Sequence, residues 1–122
     1  MIHKINNKKQ KQSRETNSTF FEEAYSSAVK EGMQILGEDV SKIVQDYIEE
    51  KYSFEIEKTS EDPKALSEAL HFAIDGGKRI IERRIIRLLS KKLDIGYHSA
   101  ELINFEKQVK DMREKVLKTQ NR

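Results

Sequence analysis

The chain has no cysteine and no tryptophan, and only one proline and five glycines in 122 residues. Without cysteine there can be no disulfide, thiolate nucleophile or zinc–thiolate site. So little proline and glycine suits helices and argues against a turn-rich β-sandwich. Long apolar runs are also missing. The richest stretch, Ile80 to Leu89, is interrupted by Glu82, Arg83, Arg84 and Arg87, and a bilayer crossing needs roughly 20 uninterrupted residues. The N-terminus is basic but no apolar stretch follows it. No secretory signal is expected, and the protein is expected to be cytoplasmic with no membrane partner.

Charge and clustered apolar residues are what the sequence does contain. Charged and hydrophobic residues each make up 36%. The apolar ones recur periodically, as in a folded chain of single-domain length. The small positive total hides an asymmetry. In residues 1–15, Lys4, Lys8, Lys9, Lys11 and Arg14 stand against Glu15 alone, and the remainder is slightly acidic. Residues 1–17 have almost nothing to bury and are expected to form a disordered basic tail.

A first helix is expected from Thr19, with Thr19 and Glu22 at capping-box spacing. Phe21, Tyr25, Ala28, Val29, Gly32, Met33 and Leu36 form its apolar face, and Gly37 its stop. A second helix from Asp39 carries Val40, Ile43, Val44, Tyr47, Ile48 and Tyr52. Residues 53–62 lose the helical period and read as a loop over the core. Asp62-Pro63 marks the third helix start. Leu66, Ala69, Leu70 and Ala73 form its stripe, and Asp75-Gly76-Gly77 ends it. In a fourth helix, from Lys78 to Leu93, the expected core face is Ile81, Ile85, Leu88 and Leu89, widened by Ile86 and Leu93. After Gly96, Ser99 is a candidate cap for a last helix. The reading is all-α: a compact five-helix bundle with a disordered basic tail and a last helix free to project. Its divisions are residues 1–17, a four-helix core at 18–97, and an amphipathic helix at 98–122.

With these elements placed, the sequence resembles the archaeal Nitrosopumilus output domain family, type five, over residues 20–97. The residues that carry the likeness are Phe20-Phe21, Tyr25, Gly32 and Leu36-Gly37-Glu38, then Tyr47-Ile48-Glu49 and Tyr52. They continue with Asp62-Pro63, Leu66, Ala69-Leu70, Gly76, Lys78, Ile81-Glu82 and the stretch from Leu89 to Leu93. These are packing and capping residues, and Asp75-Gly76-Gly77 stands where the family's third helix ends in Phe-Gly. The resemblance implies a small helical output or signalling module and carries over no catalytic residue.

Chemistry concentrates on the fourth helix. Lys78, Arg79, Arg83, Arg84, Arg87, Lys91 and Lys92 oppose Glu82 alone. Arg79, Arg83 and Arg87 fall in one row flanked by Arg84 and Lys91. Guanidinium groups in a row suit phosphate oxygens or an acidic partner. The bland alternative is a solvated face, or one paired with the acidic second helix through Asp46, Glu49 and Glu50. A nucleic-acid partner is therefore possible, with the tail adding to the same field. Gly76-Gly77-Lys78 lacks the spacing of a phosphate loop. His3, His71 and His98 have no metal-ligand spacing, and no nucleophile sits beside a base in a known motif. No enzyme, cofactor, metal or small-molecule substrate is expected.

The last helix places Leu102, Phe105, Val109, Met112 and Val116 at heptad spacing. That seam either covers the bundle or pairs with a second copy or another protein. The leading expectation is a non-catalytic interaction module, self-associating through this seam. The alternative is a nucleic-acid-associated regulator using the fourth helix and the tail.

Overall fold

The computed structural model describes the backbone of residues 2–74, 76–96 and 104–119, and side chains from residue 16 onward within those ranges, up to 118. Among the described residues the fold is all-α, with five α-helices and no strand: α1 (Ile2–Met33), α2 (Glu38–Tyr52), α3 (Pro63–Ala73), α4 (Lys78–Lys92) and α5 (Phe105–Thr119). Single 3₁₀ turns at Gln34–Leu36 and Ile56–Lys58 join the early helices.

The first helix does not begin at Thr19. It starts at Ile2 and runs for 32 residues, so the expected capping box has no helix end to cap. No proline or glycine interrupts residues 2–31, and Lys, Gln, Glu and Arg all favour helix. Asn17, placed by the sequence in the tail, is buried in α1, and its Nδ2 donates to the Val116 carbonyl at 3.2 Å. The side chains of residues 1–15 lie outside the described residues.

The α1 stripe packs as its spacing predicts. Phe21, Tyr25, Ala28, Val29 and Met33 are all fully buried, and Leu36 is half-buried. Gly37 turns the chain at φ 87°, where a side chain would be strained. Asp62 caps α3 by accepting from the Ala65 N–H at 3.3 Å, and Pro63 opens the helix. The segment between α2 and α3 is a loop over the core. It buries Ile56, and its Thr59 hydroxyl bonds both the Tyr25 hydroxyl and the Ile56 carbonyl at 2.8 Å.

α1 and α4 form the central pair, and they touch closely at Gly32. A Cβ built there would lie 2.6 Å from Ile85 Cγ1. α3 and α5 close the bundle around them. α5 does not project. Phe105, Val109, Met112 and Val116 are buried in the chain's own core, and the Asn104 side chain caps the helix by accepting from Lys107 N–H at 2.9 Å. Ser99, the cap expected from sequence, lies outside the described residues, as does Asp75.

α2 is turned from its expected orientation. Ser41 and Ile48 are buried and Val44 and Tyr52 partly so, whereas Val40, Ile43 and Tyr47 face outward, Ile43 with 68% of its surface exposed. The helix packs on α3 and the neighbouring 3₁₀ turns at the bundle's edge. Its apolar stripe is wider than that one-sided contact.

Candidate functional site

At ~100° per residue, the side chains of α4 divide into two faces. Ile81, Glu82, Ile85, Ile86 and Leu89 are buried, so the core face is centred on the line of Ile81, Ile85 and Leu89 and widened towards Glu82 and Ile86. Leu88, expected in the core, is only half-buried at the border. The outward face then reads Ile80, Arg83, Arg84, Arg87 and Lys91, all exposed.

These residues line a shallow hollow of about 530 Å³ together with Ile35, Leu88 and Ser90. Its floor is apolar, with Ile35 and Ile80 half or more exposed, and its walls are four cations. Among the described residues, no carboxylate lines it. Among the described residues, none of these four cations makes an ion pair within 4.0 Å. One carboxylate on α1 senses this face. The carboxylate of Glu31 feels the positive field of Arg84, but it is hydrogen-bonded to Lys92 and Ser27, and this holds its pKa below the usual carboxylate range. The Glu31–Lys92 pair holds that carboxylate on α4, and neither partner lines the hollow. The acidic α2 does not neutralise the basic face either, since among the described residues no ion pair joins α2 to α4.

Arg79 does not belong with this group. It lines a second hollow, of about 630 Å³, between α3, α4 and the start of α5, with Lys64, His71, Lys78 and Glu82. Glu82 is only 3% exposed and its Oε2 is buried without a hydrogen-bond partner. Burial raises its pKa above the ordinary glutamate range, against a smaller opposing pull from Ser67, Lys78 and Arg79. The structure therefore splits the expected row of Arg79, Arg83 and Arg87. Sequence periodicity placed Arg79 one turn below Arg83 and so in line with it, but Arg79 lines the hollow shared with α3 instead.

No family model matches this chain, and no curated protein or solved structure matches it either. The site's meaning therefore rests on its own geometry.

The seam expected for self-association is not a free surface. Phe105, Val109, Met112 and Val116 are fully or nearly buried against α1, α3 and α4, and Leu102 lies outside the described residues. An amphipathic helix buries its stripe on the nearest apolar surface, and here its own bundle supplies one. Sequence reasoning also missed a gathering of Glu49, Glu55 and Glu57, whose carboxylate oxygens lie within 4.8 Å of one another. The loop folds Glu55 and Glu57 back on α2, and Lys58 neutralises Glu55 at 2.7 Å. The features that sequence reasoning undervalued are Ile35 and Ile80. For Ile80 the signal was an isoleucine standing among arginines at helical spacing; Ile35 has no arginine near it in sequence and gave none.

Among the described residues, no helix is long and apolar enough to cross a membrane.

Proposed function

We propose that this protein is a non-catalytic, cytoplasmic helical interaction module of the output or signalling kind that its sequence resembles, and that it acts through protein contacts at the outward face of α4. One observation carries the reading: an apolar floor of Ile35, Ile80 and Leu88 walled by Arg83, Arg84, Arg87 and Lys91, with no carboxylate lining it among the described residues. Protein interfaces combine an apolar centre with a polar rim, and arginine is enriched in them. The partner that fits is an acidic, amphipathic protein segment.

Nucleic acid is the second reading, favoured by the same unpaired cations. The apolar floor separates the two. Ile80→Ala removes apolar contact from the centre and leaves every cation in place. It should weaken binding of an acidic amphipathic helical peptide severalfold and leave duplex DNA binding unchanged. Arg87→Glu should weaken both, and should make the salt slope for DNA shallower by about one unit. The measurement is fluorescence titration of both ligands at about 50 mM salt and again at moderate salt. Tight DNA binding that ignores Ile80, with no peptide binding, would replace the first reading by the second. Binding of neither ligand at low salt would reject both.

A further inference from the structure

The outward face of α2 is the chemical counterpart of the outward face of α4. Counting by the helical repeat, Asp39, Ile43, Asp46, Tyr47 and Glu50 lie along one exposed strip, with Val40 beside it. Val40, Ile43 and Tyr47 expose 49%, 68% and 43% of their surfaces. The α2 helix as a whole carries five carboxylates, Glu38, Asp39, Asp46, Glu49 and Glu50, against Lys42 and Lys51. Lys51 does not stand free beside the strip. Its Nζ hydrogen-bonds the Tyr47 hydroxyl at 3.0 Å and lies 5.5 Å from the centre of that ring.

The α4 strip runs from Ile80 to Lys91 and the α2 strip from Asp39 to Glu50. Each covers eleven residue steps, about 17 Å of helix. Each places isoleucine among charges predominantly of one sign, with Lys42 bordering the α2 strip, and the signs are opposite. Opposed charges around an apolar centre attract a partner and fix its orientation.

Resting on the proposed role of the α4 face, we infer that its partner is a second copy of this chain, which presents α2: the basic, apolar-floored face of one copy receives the acidic, apolar face of the next. The contact joins two different surfaces. It therefore builds head-to-tail series of copies, closed into a ring or open according to the rotation between neighbours. The α5 seam takes no part, because it is already buried.

Reversal of charge on each face, singly and together, provides the test. One variant carries Arg84→Glu and Arg87→Glu, and a second carries Asp46→Lys and Glu50→Lys. All four positions are exposed, and circular dichroism checks that helix content is kept. In sedimentation at about 50 mM salt the wild-type chain should be heavier than the 14.3 kDa protomer, and it should dissociate as salt rises. Each double reversal should weaken association at least about tenfold, because both faces then carry one sign. An equimolar mixture of the two variants should regain it, and so should a single chain carrying all four changes. A monomeric wild-type chain overturns the inference. So does either variant that associates like wild type, or a mixture that stays monomeric. The acidic-peptide titration separates this from failure of the broader reading. A monomeric chain that still binds the peptide through Arg87 loses the second-copy partner and keeps the α4 interface, whereas a monomer that binds no peptide loses both.

Discussion

Replacing Gly32 by alanine sets two effects of opposite sign against each other. Gly32 is buried within α1, in ordinary helical conformation, so alanine gains helix propensity of about 1 kcal/mol there. The added Cβ, however, falls 2.6 Å from Ile85 Cγ1 and 3.6 Å from the Ile85 backbone nitrogen. Ordinary carbon contacts need about 3.5–4.0 Å. Ile85 is itself fully buried, and its Cγ1 is close to the backbone rather than at a flexible tip. Relief therefore needs α1 and α4 to separate or Ile85 to leave its rotamer. Overpacking of this kind costs about 1–3 kcal/mol, and a clash at a helix crossing belongs at the upper end. The expected net loss is about 2 kcal/mol. Urea unfolding reads it as a lower midpoint at unchanged slope. The control is the same substitution in an Ile85→Ala background, where the clashing atom is gone. Ile85→Ala should itself cost about 2–5 kcal/mol, but Gly32→Ala added to it should now stabilise the protein. A stabilising Gly32→Ala in the wild-type chain would refute the close-packed α1–α4 crossing, and an equal loss in both backgrounds would refute the assignment of that loss to Ile85.

Glu82→Gln tests the buried acid on α4. Burial raises the Glu82 pKa, so the folded chain holds this proton more tightly than the unfolded one. Its favourable contribution is complete below the unfolded glutamate pKa and is lost as pH rises through the raised folded value. The stability advantage of Glu82→Gln over wild type should therefore grow as pH climbs through and above the ordinary glutamate range; a pH-independent difference in urea midpoints would contradict it. Asn17→Ala removes the bond to the Val116 carbonyl and should cost about 1 kcal/mol, and a midpoint unchanged from wild type would mean that Asn17 does not tie α1 to α5 in solution.

The helical character, the capped start of α3 at Asp62-Pro63 and the buried stripes of α1 and α3 were legible in the sequence. They rest on local chemistry and on a periodicity that any helix must obey. The concentration of cations on α4 was legible for the same reason. The N-terminal reach of α1 was not, because a polar segment without breakers is compatible with either coil or helix, and a contact 99 residues away at Val116 anchors its buried end. Nor was the rotation of α2, since a broad apolar stripe does not say which of its edges meets the core. Periodicity showed that Phe105, Val109, Met112 and Val116 share a face; only the packing of α5 on α1, α3 and α4 decided that this face is spent within the chain. The tertiary packing also places Arg79 beside the hollow between α3, α4 and α5 and leaves Arg83, Arg84, Arg87 and Lys91 around Ile35 and Ile80. Sequence determines which side chains one helix presents together, because that follows from backbone geometry. Which of those faces remains open to a partner depends on contacts between distant segments, and those exist only once the helices have packed.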